Sequence, residues 1–277
     1  MAKIWKGALL NIRKWGSCYR IYMILPLIVV FTSLHTSSIK EYMQTQGLAI
    51  SNWYSVFQLS DSIIRMLFYF ALILLLCNAP FVDEQQMFMI VRTGRKNWIW
   101  GQILYTFLAN VIFFFAVALV GVLIFIPHVG FSMEWESILE TLAQSGEGRA
   151  AGINFNILHT FTPIQAFLLT YSLDILIGFF ISLVMFWVNM LNSKIKGSIV
   201  AVGIVVCSHL AGNYWHMIPW LNFVSPVSWS SLGIFVHKAT HMNFAYAYSF
   251  LLIGIAIFIG LIVQRSKHYV IEAKEED

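Results

Sequence analysis

Apolar runs of about 20 residues, the length needed to cross a hydrocarbon core of about 30 Å, recur along this chain and leave little room for anything else. They lie near Tyr19 to His35, Ser62 to Val82, Ile99 to Pro127, Pro163 to Leu191, Ile199 to Trp215 and Phe244 to Val263. A bilayer cannot hydrate unpaired backbone groups, and no short in-out alternation of barrel type is present, so the runs predict helices. The expected fold is all-α: a polytopic membrane protein with six transmembrane helices in a single domain over residues 1–277. Composition agrees, because 59% of residues are hydrophobic and 11% charged, where soluble domains carry about 25% charged residues.

The positive charges set an orientation. With the N-terminus inside, thirteen of the seventeen Lys and Arg residues fall on the cytoplasmic side. They are Lys3, Lys6, Arg13, Lys14, Arg20, Arg92, Arg95, Lys96, Lys194, Lys196, Arg265, Lys267 and Lys274. Lys40, Arg149 and Lys238 fall outside, Arg65 lies a turn or so inside the second span, and Glu134, Glu136, Glu140 and Glu147 crowd an extracellular loop over 128–162. The positive-inside rule then holds for every loop, and a cell-membrane location with both termini cytoplasmic is expected. The first apolar run lacks an A-x-A cleavage pattern and reads as a retained span. Cys18, Cys77 and Cys207 show no metal-ligand spacing and read as unpaired thiols.

Three segments between the runs carry pattern. Residues 1–18 sort onto two helix faces, with Ile4, Trp5, Ala8, Leu9, Ile12 and Trp15 on one and Lys3, Lys6, Arg13 and Lys14 on the other. Leu10 is the exception, and the pattern reads either as an interfacial helix lying in the headgroup layer or as a basic tail that only sets topology. Residues 83–97 place Asp83 and Glu84 at the positive end of a short helix and Arg92 near its negative end. Thr93 and Gly94 supply its stop. With Gln85, Met87 and Phe88 it reads either as a docking helix for a partner or as an intracellular turn touching lipid. Residues 212–243 are apolar but broken by Pro219 and Pro226, which favours a re-entrant hairpin over a continuous span. Trp229 belongs either to that hairpin or to an interfacial aromatic belt.

Within the spans, Asp174 stands near the membrane midplane, where an ionisable group needs protein, water or a partner around it. Arg65 either reaches toward it or snorkels outward. Asn110, with Asn78 and Asn189, reads as an interhelical hydrogen-bonding group. The chain has no Gly-x-x-x-x-Gly-Lys-Ser/Thr phosphate loop. His237 and His241 lack the Glu of a zinc-hydrolase helix, Lys238 standing in its place, and no metal site is expected.

The order of interfacial helix, charged segment between the second and third spans, and proline-broken stretch before the last span resembles the type-2 ABC transporter permeases. The residues that carry the resemblance are Glu84, Gly94, Arg95 and Lys96, followed by Trp98, Gly101 and Gln102, with Ser225, Pro226 and Trp229 further on. The chain departs from the family where Gln85, Gln86 and Met87 follow Glu84, and in the length of its outer loop. The resemblance implies a transport subunit that is not itself an enzyme. Residues 83–97 would be the coupling helix, Pro219, Pro226 and Trp229 an extracellular gate, and Asp174, Arg65 and Asn110 the polar part of a path for an amphipathic or hydrophobic cargo. It implies as partners an ABC ATPase subunit holding ATP and Mg²⁺, a second permease chain and the lipid bilayer, and no nucleic acid. The competing readings are an ion-coupled secondary transporter using Asp174 and a non-transporting sensor or immunity subunit.

Overall fold

The computed structural model describes residues 2–46, 50–82, 84–126, 129–130, 132–135, 137–144, 152–191, 194–214, 218–237 and 240–267. In chain order the helices are α1 (Ala2–Arg13), α2 (Tyr19–Gln46), α3 (Ser62–Leu76), α4 (Glu84–Thr93), α5 (Arg95–Leu123), α6 (Ser137–Gln144), α7 (Phe155–Thr160), α8 (Pro163–Leu191), α9 (Lys194–Tyr214), α10 (Gly233–Val236) and α11 (Phe244–Ser266). Short 3-10 helices occupy Lys14–Ser17, Asn52–Phe57, Pro219–Val224 and Pro226–Ser230. The one departure from all-α structure among the described residues is a two-residue parallel pairing of Ile50–Ser51 with Val129–Gly130.

Five helices, α2, α5, α8, α9 and α11, are long and apolar enough to cross a membrane. The chain is therefore a helical membrane protein. The second expected span is shorter than its apolar run: α3 has 15 residues, a rise of about 22 Å. It ends because Pro80 cannot continue a helix and because Asn189 of α8 captures the chain there, its Nδ2 donating to the carbonyls of Cys77 (3.1 Å) and Ala79 (2.7 Å). The first run shows the opposite departure. Its apolar stretch stops near His35, but α2 continues to Gln46, because loss of hydrophobicity is not a helix stop.

The helix α8 is the central post. Of its apolar window 61% is buried inside the protein, against 22% for α9 and for α11. It packs against α3, α5, α9 and α11, while α2 leans on α3 and α1 lies across the start of α5. The spans alternate in direction, so α1, α4 and the last turn of α11 share one end of the bundle, called here the proximal end. Arg95 Nη1 at the start of α5 donates to Lys267 O there (2.8 Å). The described residues of 50–61, 124–162 and 218–243 form the distal end, tied by bonds such as Trp53 Nε1 to Ser132 O (2.7 Å) and Trp135 Nε1 to Phe161 O (2.7 Å).

The helix α1 corrects one sequence reading. Its apolar residues do not form a single lipid-facing stripe: Ala8 is buried with Gly7 and Asn11 against α5, whereas Trp5 and Leu9 remain about half exposed and Ile12 and Trp15 are half-buried. The cause is a close backbone approach in which a Cβ placed on Gly101 would stand 3.3 Å from Ile4 O. Asn11, at helical spacing from Ile4 and Trp15, turns inward and donates to Gln102 Oε1 (3.3 Å), and Trp15 Nε1 donates to Tyr105 OH (2.9 Å). Gly101→Leu should lift α1 from α5 and destabilise the fold by about 1–3 kcal/mol, as overpacking does. Unfolding in mixed detergent micelles measures it, with enhanced proteolysis of residues 2–13 as the structural readout.

Candidate functional site

Two places concentrate polar chemistry, one buried between the helices and one at the proximal surface. The buried one begins on α3, where Asp61 caps the helix by accepting from the N–H groups of Ile63 and Ile64 (2.9 and 2.8 Å). The cap fixes the phase of the helix, so Arg65 and Tyr69, one turn apart, both point into the bundle and are 4% and 0% exposed. Tyr69 OH donates to Asp174 Oδ1 of α8 (3.2 Å) and stands 3.0 Å from Ser230 Oγ of the 226–230 turn. Asp174 is fully buried, and its second oxygen, Oδ2, has no hydrogen-bond partner among the described residues.

The sequence allowed Arg65 to pair with Asp174 or to snorkel, and the structure shows neither. Arg65 Nη1 donates to Leu59 O, 3.1 Å away. The carbonyl six residues back lies within easy reach of the side chain, and the Tyr69 phenol occupies the space before Asp174. Asn110 does not join this cluster. Its Nδ2 donates to Thr106 O (2.8 Å) and to Ser182 Oγ (3.3 Å), two turns further along α8, and its unpartnered Oδ1 faces Gly178.

The distal proline-broken stretch closes over the cluster. Each proline opens a 3-10 helix, Pro219 that of Pro219–Val224 and Pro226 that of Pro226–Ser230; the Pro219 side chain lies outside the described residues. Trp229 is not an interfacial anchor: it is fully buried, donates Nε1 to Asn222 O (2.7 Å) and meets Phe250 edge-on at 5.3 Å. Ser225 and Ser228 both donate to Ser208 O of α9 (3.0 and 2.9 Å), so the turn is fastened to a span. Trp220, by contrast, is 63% exposed.

At the proximal surface, Gly94 separates α4 from α5. Its N–H donates to Ile90 O (2.9 Å), ending α4, and its own carbonyl accepts from Trp98 N (3.1 Å), beginning α5. It performs both roles at φ +82° and ψ 148°, a conformation essentially reserved for glycine. Met89 and Ile90 pack inward, whereas Phe88 and Val91 are 72% and 85% exposed, and Arg92 and Lys96 are exposed beside them. Asp83 lies outside the described residues, as do the side chains of Glu84, Gln85 and Met87. The segment before α4 is held by Gln102 of α5, which accepts from Phe81 N (3.3 Å) and donates to Phe81 O (3.2 Å).

The sequence residues thus divide into an exposed proximal group and a buried group of which only Asp174 and Arg65 are neighbours through one intervening side chain. Tyr69, Ser230 and Asn11 were not singled out from the sequence, and Gln102 was named there only within the family resemblance. Tyr69 sits one helical turn from Arg65, which was a usable signal; nothing local distinguishes Ser230 from the serines around it. Among the described residues no cluster of His, Cys, Asp or Glu could hold a metal ion, and the three cysteines are free thiols. No protein-family model matches the chain, no curated protein matches it, and no solved structure matches it.

Proposed function

We propose that this chain is the membrane subunit of an ATP-driven exporter of the type-2 ABC permease kind, moving an amphipathic or hydrophobic cargo such as a peptide, lipid or drug. In this reading α3, extended by residues 77–82, completes six crossings, and the cation-rich proximal end is cytoplasmic in a bacterial cell membrane. The 218–243 stretch is the re-entrant gate. ATP and Mg²⁺ belong to a separate ATPase subunit, and a second permease chain, identical or similar, completes the transporter.

The observation that carries the reading is α4. It is an amphipathic helix whose inner residues are anchored and whose Phe88 and Val91 are presented outward beside Arg92. Inward, its base is locked through Gln102 to α1 and α5, so a push on α4 would reach two elements of the bundle at once. An ordinary turn between spans needs neither the ten-residue helix nor the outward pair.

Co-purification is the test. The full chain carrying Phe88→Cys, with Cys18, Cys77 and Cys207 changed to Ser, is expected to bring a phosphate-loop ATPase out of native membranes and to cross-link to it through position 88. Purification without any ATPase, together with unchanged function after deletion of residues 84–96, overturns the proposal. The ion-coupled alternative retains one specific support, the unpartnered oxygen of Asp174.

A further inference from the structure

We propose that Asp174 is a proton-binding carboxyl that exchanges its proton with the solution at the distal end of the bundle through the hydroxyls of Tyr69 and Ser230. The inference does not rest on the exporter reading, and its test uses no nucleotide.

The polarity of the chain of bonds follows from the groups present. An ionised carboxylate only accepts, so Tyr69 OH must donate to Asp174 Oδ1 at 3.2 Å. The phenol has a single proton, so across the 3.0 Å contact Ser230 is the group that donates to Tyr69 whenever its hydroxyl is not turned to Asp174, which also lies within its reach. In that arrangement the two hydroxyls point the same way, from the distal end toward Asp174. Behind Ser230 the next residue, Ser231, lines a cavity of about 660 Å³ at the distal end, together with Ser60, Asn154 and Gly233. The Ser60 side of the cavity adjoins Leu59, whose carbonyl holds Arg65. One turn distal of Asp174 on α8, Thr170 Oγ1 is also buried and has no partner among the described residues. Two unpartnered polar atoms one turn apart are what a proton or water pathway needs and what a purely structural buried carboxyl avoids.

Toward the proximal end, Leu72, Phe114 and Ile177 are buried in one apolar cluster, and Leu72 and Phe114 meet Gly178, one turn along α8 from Asp174.

Uptake balances without an external reagent. Asp174 takes the Tyr69 proton, the Tyr69 oxygen takes the Ser230 proton, and the Ser230 oxygen takes one from a hydronium ion that enters past Ser231, Ser230 itself being buried behind the cavity wall; the hydronium leaves as water. No heavy-atom bond changes, and release reverses each hop. The charged or titratable groups that act on the carboxyl are Arg65 and Tyr69 on α3 and Tyr171 on α8, with Asp61 at the start of α3 sharing Arg65, His209 on α9 beside Ser62, and Tyr248 on α11 beside Ser172.

Time-resolved infrared spectroscopy after a pH jump tests this on the full-length detergent-solubilised protein. A protonated-carboxyl band is expected that shifts with isotope-labelled aspartate and is lost in Asp174→Asn. Its rate of appearance should fall by at least about ten-fold in Tyr69→Phe and Ser230→Ala. Ser230→Thr, which keeps the hydroxyl, should restore the rate. A purely structural role leaves these rates equal. Equal rates, or no pH-dependent aspartate band in the wild-type protein, overturn the proposal; the label marks all four aspartates, so if Asp174→Asn does not fold, Asp174→Glu, which removes position 174 from the labelled set, makes the assignment.

Discussion

In the proposed exporter, Gly94→Val is expected to lower the ATPase rate of the assembled complex by about ten-fold or more while the bundle keeps its fold. The substitution meets no steric obstacle, since nothing lies within 4 Å of a Cβ built there. Its effect is therefore purely conformational: φ +82° with ψ 148° costs a residue with a Cβ about 1–3 kcal/mol, and a β-branched one resists it most. The α4–α5 joint relieves that strain by rotating, which re-aims Phe88 and Val91 away from a partner surface. Gly16→Val is the control, because its position is equally open and has no positive φ. Steady-state ATPase assays and thermal unfolding of both variants make the comparison. A Gly94→Val complex as active as the Gly16→Val one would mean that the aim of α4 is irrelevant.

The largest loss of stability is expected at Trp229. Truncation to Ala should cost about 3–5 kcal/mol, the range for large buried aromatics. Trp229 is fully buried, its ring is wedged against Phe250 and Tyr246, and its N–H satisfies Asn222 O. The indole is also what holds the 226–230 turn beside α11, so its removal should loosen Ser230 from Tyr69. Trp220→Ala, at a 63% exposed site in the preceding turn, should change stability by less than about 0.5 kcal/mol. Equilibrium unfolding in mixed micelles measures both.

How much of this was legible beforehand depends on which force decided each feature. The apolar runs located the spans because transfer from water to lipid dominates there, and Pro163, Leu191 and Phe244 bound helices where the pattern placed them. The ends of α2 and α3 were misplaced because hydropathy marks the membrane's edge, whereas helices end at Pro80 or where Asn189 intercepts carbonyls. The face of α1 was misread because amphipathic periodicity registers water and lipid, not a neighbouring backbone. Gly7 and Gly101 let α5 approach, and Asn11 then found a better partner in Gln102 than in solvent. At Arg65 the sequence offered the right charges but not the geometry, since the interposed phenol of Tyr69 and the nearer Leu59 carbonyl are tertiary facts.

The brevity of α3 has a consequence for how the protein is made. A 15-residue helix carrying Arg65 as its fourth residue is a poor substrate for insertion on its own, being shorter than a hydrocarbon core of about 30 Å and burdened by an arginine near its distal end. As it leaves the ribosome it has only the two preceding helices to lean on, while Tyr69 waits for Asp174 and Ser230, translated 105 and 161 residues later. The segment that contributes most to the buried polar cluster is thus the one least able to enter the membrane unaided, and the late helices act as its chaperone in cis.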